Sequence, residues 1–339
     1  MGINLAINGY GRIGRCLLRA LYERRAKGEG DAMRIVAINE PADAEAIAYL
    51  TRYDSTHGGF SETVELHGQQ LMVGGDAIVL SAFDTLEQLD WQTYNVDIVL
   101  ECSGRFSARS DAEKHLAAGA KRVLFSQPTA SDIDATIVCG VNDRDLKTSH
   151  TIVSAASCTT NAIVPVIKVL DDRFGLEQGV ITTIHSAMND QPVQDAYHHS
   201  NLRKTRAAMH SIIPIDTQLA RGIDRILPHL AGRFEAQALR VPTQNVSAMD
   251  LSVLLQKPVT AAAVNRALLE ASQGALHGIL AYTEEPLASC DFNHNPHSGI
   301  VDAGQTRVAG QLVKVLVWFD NEWAYANRML DIVRAMAGS

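Results

Sequence analysis

The six residues Gly9-Tyr10-Gly11-Arg12-Ile13-Gly14 restrict the fold of this chain more than any other segment. They follow a short strand-like run, Ile3-Asn4-Leu5-Ala6-Ile7. They lead into Arg15 to Arg25, where Cys16, Leu17, Ala20 and Leu21 fall close to helical spacing. Glycines spaced G-x-G-x-x-G are a weak signal alone. Between a strand and a helix they predict a βαβ unit, with glycines for a tight turn, backbone approach to a pyrophosphate and close helix–strand packing. The helix N-terminus adds unpaired N–H groups and a partial positive charge. Glu40 follows the next strand-like run, Arg34-Ile35-Val36-Ala37-Ile38. A carboxylate there can accept from an adenosine ribose and repel a 2′-phosphate, so the pattern favours NAD over NADP.

Two more strand-like runs, 97–100 and 121–125, alternate with helix-like segments, which predicts a parallel sheet covered on both faces. The second half differs. Runs at 180–185, 248–256 and 312–319 are longer with fewer helices between them, which predicts a mostly antiparallel sheet. Residues 322–339 place Trp323, Ala326, Met329, Leu330 and Val333 on one helical face. A length of 339 residues suits two domains, and no Pro/Ser-rich linker separates them.

Composition narrows the function. With 30 basic and 38 acidic residues the net charge is −8, which argues against a nucleic-acid-coating protein but permits a local basic pocket for a small anion. No apolar run approaches the roughly 18 residues of a membrane span. The chain enters a strand at once, so no targeting segment is expected. The five cysteines are widely spaced without a C-x-x-C pair, as expected for reduced thiols in the cytoplasm and not for a metal centre.

Cys158 sits in the small, polar stretch 154–161, just before a helical run through Ile163, Val166, Ile167 and Leu170. A helix N-terminus lowers a thiol pKa and offers N–H groups to an oxyanion. Cys16, Cys102, Cys139 and Cys290 read instead as packed core thiols. His185 ends a strand-like run and enters a polar loop, a place from which it could act as base and then acid toward a thiolate. It is one of twelve histidines; His198, His199 and His210 read as surface or interface groups. The sequence does not show that His185 reaches Cys158.

Five motifs occur in order: N-G-Y-G-R-I-G-R (8–15), S-C-T-T-N (157–161), H-S-A-M-N-D-Q (185–191), R-V-P-T (240–243) and W-F-D-N-E-W (318–323). Together they resemble the phosphorylating glyceraldehyde-3-phosphate dehydrogenases along essentially the whole chain. The resemblance implies an α/β chain: a Rossmann-type parallel-sheet domain over 1–157 and an α+β catalytic domain with a mostly antiparallel sheet over 158–319. A C-terminal helix, 320–339, would return to the first domain. It also implies roles. Gly9, Gly11, Arg12, Ile13 and Gly14 would hold the NAD pyrophosphate and Glu40 the adenosine ribose. Ser126 would lie beside the nicotinamide half, and Asn321 would hold the carboxamide. Cys158 would be the nucleophile and His185 the base. Ser157, Thr159, Thr217 and Arg240 match substrate or anion positions, and Lys204 stands where arginine is common. The long polar stretch 186–211 resembles the loop that reaches toward a neighbouring subunit's cofactor site, and the resemblance alone implies a homotetramer.

Several residues depart from the main branch. Ala162 replaces a usual second cysteine, and Met188 replaces a threonine that helps hold the substrate phosphate. H-S-A-M-x-D-Q, D-A-Y-H (195–198), D-F-N-H-x-P-H-S (291–298) and Glu40 are similar to the sister branch, the D-erythrose-4-phosphate dehydrogenases. That branch oxidises a four-carbon aldose phosphate to 4-phosphoerythronate, toward pyridoxal 5′-phosphate. Two other readings stand beside it: a phosphorylating glyceraldehyde-3-phosphate dehydrogenase with an altered phosphate site, and a non-catalytic binding module on the same fold. The expected partner is a small aldose phosphate, with no nucleic acid and no membrane.

Overall fold

The computed structural model describes residues 2–29, 32–198 and 201–338. The chain divides into two compact units, Met1–Ser157 with Tyr325–Ser339, and Cys158–Ala324.

The first unit is built on a nine-stranded sheet. The strand Ile3–Asn8 lies at its centre, paired in parallel with Met33–Asn39 on one side and Ile98–Glu101 on the other. The chain thus builds outward in one direction and then returns to build in the other. The crevice beyond the strand C-termini at such a reversal is where open α/β sheets bind ligands. Arg122–Phe125, Ile152–Ser154 and Ala135–Thr136 extend the parallel order on one side, and Asp76–Ser81 extends it on the other. Two antiparallel edge strands follow, Gln70–Val73 and Val64–His67. They depart from the all-parallel expectation. Only Val64, Leu71 and Val73 of this short hairpin are buried, so its polar-rich sequence carries little strand signal.

The helix Arg12–Ala26 buries Cys16, Leu17, Leu18, Ala20 and Leu21, which explains its apolar spacing. The final helix, Trp323–Gly338, groups with this unit from Tyr325 onward. Arg24 ties the two helices. Its guanidinium donates to the Asn327 side chain at 2.9 Å, the Asn327 carbonyl at 2.9 Å and Asp331 at 2.8 Å.

The second unit carries a seven-stranded sheet. Its long strands, Leu176–His185, Ser247–Leu255, Leu312–Phe319 and Gly299–Ala309, run antiparallel in that order. Phe234–Arg240 pairs in parallel with Leu176–His185 and antiparallel with Ile213–Ile215, and Leu280–Thr283 pairs in parallel with Gly299–Ala309. The alternation of Met249, Leu251, Val253 and Leu255 marks the buried face of its strand. The helix Cys158–Phe174 is almost wholly buried from Thr160 to Ile167. Among the described residues, no helix is long and apolar enough to cross a membrane.

Candidate active site

In the first unit, the glycine loop closes the central strand. Gly9 has φ +89°, and a Cβ there would lie 2.3 Å from Ser103 Cα. In the helix, a Cβ on Gly14 would lie 2.6 Å from the Gly9 carbonyl oxygen. A Cβ on Gly11 would meet nothing within 4 Å, which leaves its backbone approachable from the cleft. A cavity of about 210 Å³ opens here, lined by Gly9, Gly11, Glu40, Ser103 and Phe106 among others. The Glu40 carboxylate accepts the Tyr10 N–H at 2.8 Å, so the acid at the end of the second strand faces the glycine turn. Ser126 follows the strand Arg122–Phe125, and its N–H donates to the Glu101 carbonyl at 3.0 Å. Arg12 is placed differently from a free phosphate-binding cation. Its guanidinium pairs with Asp54, so at the turn Arg12 and Ile13 offer backbone rather than side-chain charge.

Beneath this cleft lies a buried polar chain that sequence reasoning missed. Glu101 accepts from Asn8 at 2.6 Å and from both the backbone and the hydroxyl of Ser103, at 2.8 and 2.5 Å. Trp91 donates to His115 Nδ1 at 3.0 Å. Indole N–H is only a donor, so the proton of His115 sits on Nε2, 3.0 Å from Glu101. Asn39 donates to Asn8 at 2.9 Å. The chain pins three neighbouring strand ends, those bearing Asn8, Asn39 and Glu101. No periodicity marks such a contact.

In the second unit, Cys158 is the first residue of the helix Cys158–Phe174. Two residues earlier Ala156 takes φ +57°, a backbone conformation that costs a non-glycine residue about 1–3 kcal/mol and often occurs at functional sites. Cys158 Sγ lies 3.8 Å from His185 Nε2. His185 Nδ1 lies 2.8 Å from the Ser186 carbonyl, which can only accept, so Nδ1 bears the proton and Nε2 presents a lone pair to the sulfur. Phe319 packs edge-on against the imidazole at 6.3 Å.

The electrostatics correct one expectation. Burial pushes the Cys158 thiol up to about 12; the Thr159 N–H at the helix start acts in the opposite sense but does not prevail. Burial also holds His185 below its ordinary value, and the Arg240 charge adds to this. The pair is therefore neutral thiol and neutral imidazole, not a ready thiolate. The helix N-terminus was legible in sequence; the desolvation opposing it was not.

The anion candidates gather unevenly. His185 and Arg240 stand opposite each other in parallel register, and the Val241 N–H donates to the His185 carbonyl at 2.8 Å. Arg240 is 6% exposed. Its guanidinium pairs with Asp190, which also takes Lys204 Nζ at 2.7 Å. Asp190 was not among the expected site residues, although it lies in the H-S-A-M-N-D-Q motif. Thr159 is half-buried in the first turn after Cys158, and Ser157 directly precedes it. The Thr217 hydroxyl accepts the Leu219 N–H at 3.2 Å at the start of the helix Leu219–Ile226. Gly222 in that helix faces the Thr160 side chain. Met188 is 47% exposed and brings no hydroxyl. Asn321 Oδ1 accepts from Ser186 and Ser247 hydroxyls at 3.0 and 2.9 Å, which turns its NH₂ away from both.

The core-thiol expectation changes at two positions. Cys16 and Cys139 are buried, but Cys290 is exposed and Cys102 is part-buried, lining the cleft. Cys290 lies in the short turn Ser289–Phe292, whose inward residue is Phe292. His198 is half-buried and His210 exposed; His199 lies outside the described residues.

Residues 3–109 match the family described as glyceraldehyde 3-phosphate dehydrogenase, NAD binding domain, and residues 157–321 match its C-terminal domain. The chain belongs to the glyceraldehyde-3-phosphate dehydrogenase superfamily. Its first unit is accordingly a Rossmann-like NAD-binding domain, and the superfamily's second part is catalytic. The open backbone at Gly11, the helix N-terminus and the carboxylate of Glu40 fit that cofactor. Membership makes this an NAD-dependent oxidoreductase acting on a phosphorylated aldehyde.

Proposed function

We propose that this chain is a D-erythrose-4-phosphate dehydrogenase, forming 4-phosphoerythronate in the cytoplasm on the way to pyridoxal 5′-phosphate. The observation that carries the chemistry is the 3.8 Å approach of Cys158 Sγ to the unprotonated nitrogen of His185. NAD, when bound, supplies the hydride acceptor. The glycine loop, Glu40 and Ser126 would hold it, and Asn321, whose NH₂ is oriented by Ser186 and Ser247, is assigned to donate to its carboxamide.

Cys158 sulfur forms a bond to the aldehyde carbon as its proton passes to His185, which hands it to the carbonyl oxygen to give a hydroxyl and is neutral again. Amides at the helix start stabilise the negative charge that develops on that oxygen. His185 then takes the hydroxyl proton while hydride leaves the same carbon, and a thioester remains. Water adds to the thioester, the C–S bond breaks, and His185 returns a proton to the thiolate.

Met188 supports the four-carbon substrate. It cannot donate the hydrogen bond to phosphate that a threonine would give, a loss of about 1.5–3 kcal/mol for a bond to a charged group. Arg240, beside His185, is the cation assigned to the substrate phosphate. A phosphorylating glyceraldehyde-3-phosphate dehydrogenase remains the competing reading, since Thr159, Thr217 and the cation of Lys204 could form a site for an acceptor phosphate. The deciding experiment measures NADH with erythrose 4-phosphate and glyceraldehyde 3-phosphate while inorganic phosphate is titrated from zero. Turnover of the four-carbon sugar without phosphate is expected. Strict phosphate dependence, or higher kcat/KM for the three-carbon sugar, would assign the chain to the phosphorylating branch.

We also infer a homotetramer. Val193, Tyr197, Leu202 and Ile212 are each at least 66% exposed within 193–212, and exposed apolar side chains gathered in one stretch of chain are common at interfaces between subunits.

A further inference from the structure

Arg240, the cation assigned to the substrate phosphate, and its neighbour Lys204 already hold an anion. Asp190 pairs through one oxygen with Arg240 Nη1 and through the other with Lys204 Nζ, at 2.7 Å. Partial burial pushes its carboxyl up, but hydrogen bonds from Lys204 and Arg240 outweigh that and leave it below the ordinary range. It is therefore ionised near neutral pH. The Arg240 side chain is 6% exposed, and its Nε–H is buried with no hydrogen-bond partner among the described residues. The guanidinium thus keeps a donor that Asp190 does not reach. The Asp190 side chain is 41% exposed and lies in a loop, so it can leave the pair and be hydrated.

We propose that Asp190 is a specificity-determining residue that competes with phosphate groups for Arg240 and Lys204, favouring a phosphate tethered to the reacting carbon over free phosphate. This rests on the assignment of Arg240 to the substrate phosphate and of Lys204 to an anion site. Two cations and one carboxylate leave a net charge of about +1, too little to balance a phosphate dianion while Asp190 stays in place. Any phosphate must weaken or displace that pair. Free inorganic phosphate does so at its bulk concentration. Once the sugar is bonded to Cys158 its phosphate is intramolecular, with an effective concentration in the millimolar range or above. The same competing charge therefore burdens the free anion more than the tethered one. It also lowers the occupancy of the acyl-acceptor phosphate.

The test uses the NAD-saturated chain with Asp190→Asn, which keeps the shape and removes the charge, and Asp190→Glu, which keeps the charge. Binding of inorganic phosphate is read directly by ³¹P line broadening. Asp190→Asn is expected to bind phosphate roughly tenfold or more tightly, and Asp190→Glu within about threefold of wild type. KM for erythrose 4-phosphate should fall by a smaller factor than the phosphate Kd in Asp190→Asn. Unchanged or weaker phosphate binding in Asp190→Asn would overturn the proposal, as would equal gains for free and tethered phosphate. Tighter phosphate binding with no NADH from either aldose in any variant would sink the functional reading and leave the competition at Arg240 and Lys204 standing.

Discussion

At Cys158 and His185 the decisive quantity is where the proton resides. A surface thiol at a helix start would be a thiolate paired with imidazolium. Here burial raises the thiol to about 12 and lowers the imidazole, so both are neutral at pH 7. Alkylation of Cys158 in the ligand-free chain should then rise about tenfold per pH unit from 7 to 10, following the thiolate fraction. A plateau near neutral pH would instead reveal a preformed ion pair. His185 must be neutral to act as base, so kcat/KM should hold its value down to about pH 6.5 and fall only below it. Stability follows the same sign. The unfolded chain binds the His185 proton more readily than the folded one, so this contribution is present above pH 6.5 and is lost as pH falls below it.

At the level of elements, the site depends on strand ends held by side chains from distant segments. The strand Ser247–Leu255 begins after Val246, a β-branched residue at φ +65°, and its first hydroxyl fixes the Asn321 amide. Ser247→Ala should raise KM for NAD by roughly tenfold, the scale of one buried hydrogen bond, while leaving the Cys158 alkylation rate unchanged. An unchanged KM would separate Asn321 from cofactor binding. Arg24 presents a stability test. It links the helix Arg12–Ala26 to the C-terminal segment through Asn327 and Asp331. Arg24→Met keeps the aliphatic bulk but abandons these partners, and should cost roughly 3 kcal/mol in urea denaturation. A loss under about 0.5 kcal/mol would show that water readily replaces the guanidinium.

For the whole molecule, the exposed apolar residues of the 186–211 stretch and its neighbour Ile212 need a cover. Sedimentation should show a tetramer for wild type. Leu202→Glu, placing a charge on a residue that is 84% exposed, should shift the population toward smaller species without unfolding it. A monomeric wild type would remove the second copy as the cover. Assembly and chemistry can be read separately, because Leu202 has no part in the proposed reaction.

The local chemistry was legible because it depends on neighbours in sequence. G-x-G-x-x-G needs only a few residues to set a turn and a helix start. The alternation from Met249 to Leu255 needs only one strand to declare its buried face. Cys158 at a helix start and Glu40 at a strand end are likewise local facts. Tertiary structure decided what depends on residues far apart. Arg240 reached His185 because two strands pair in register across more than fifty positions. Asp190 met Arg240 and Lys204, and Asn321 met Ser186 and Ser247, through contacts that leave no period in the chain. The protonation state of Cys158 belongs to this second class. Helix position is written in the sequence, but desolvation is a property of everything packed around the sulfur, and here desolvation is the larger effect.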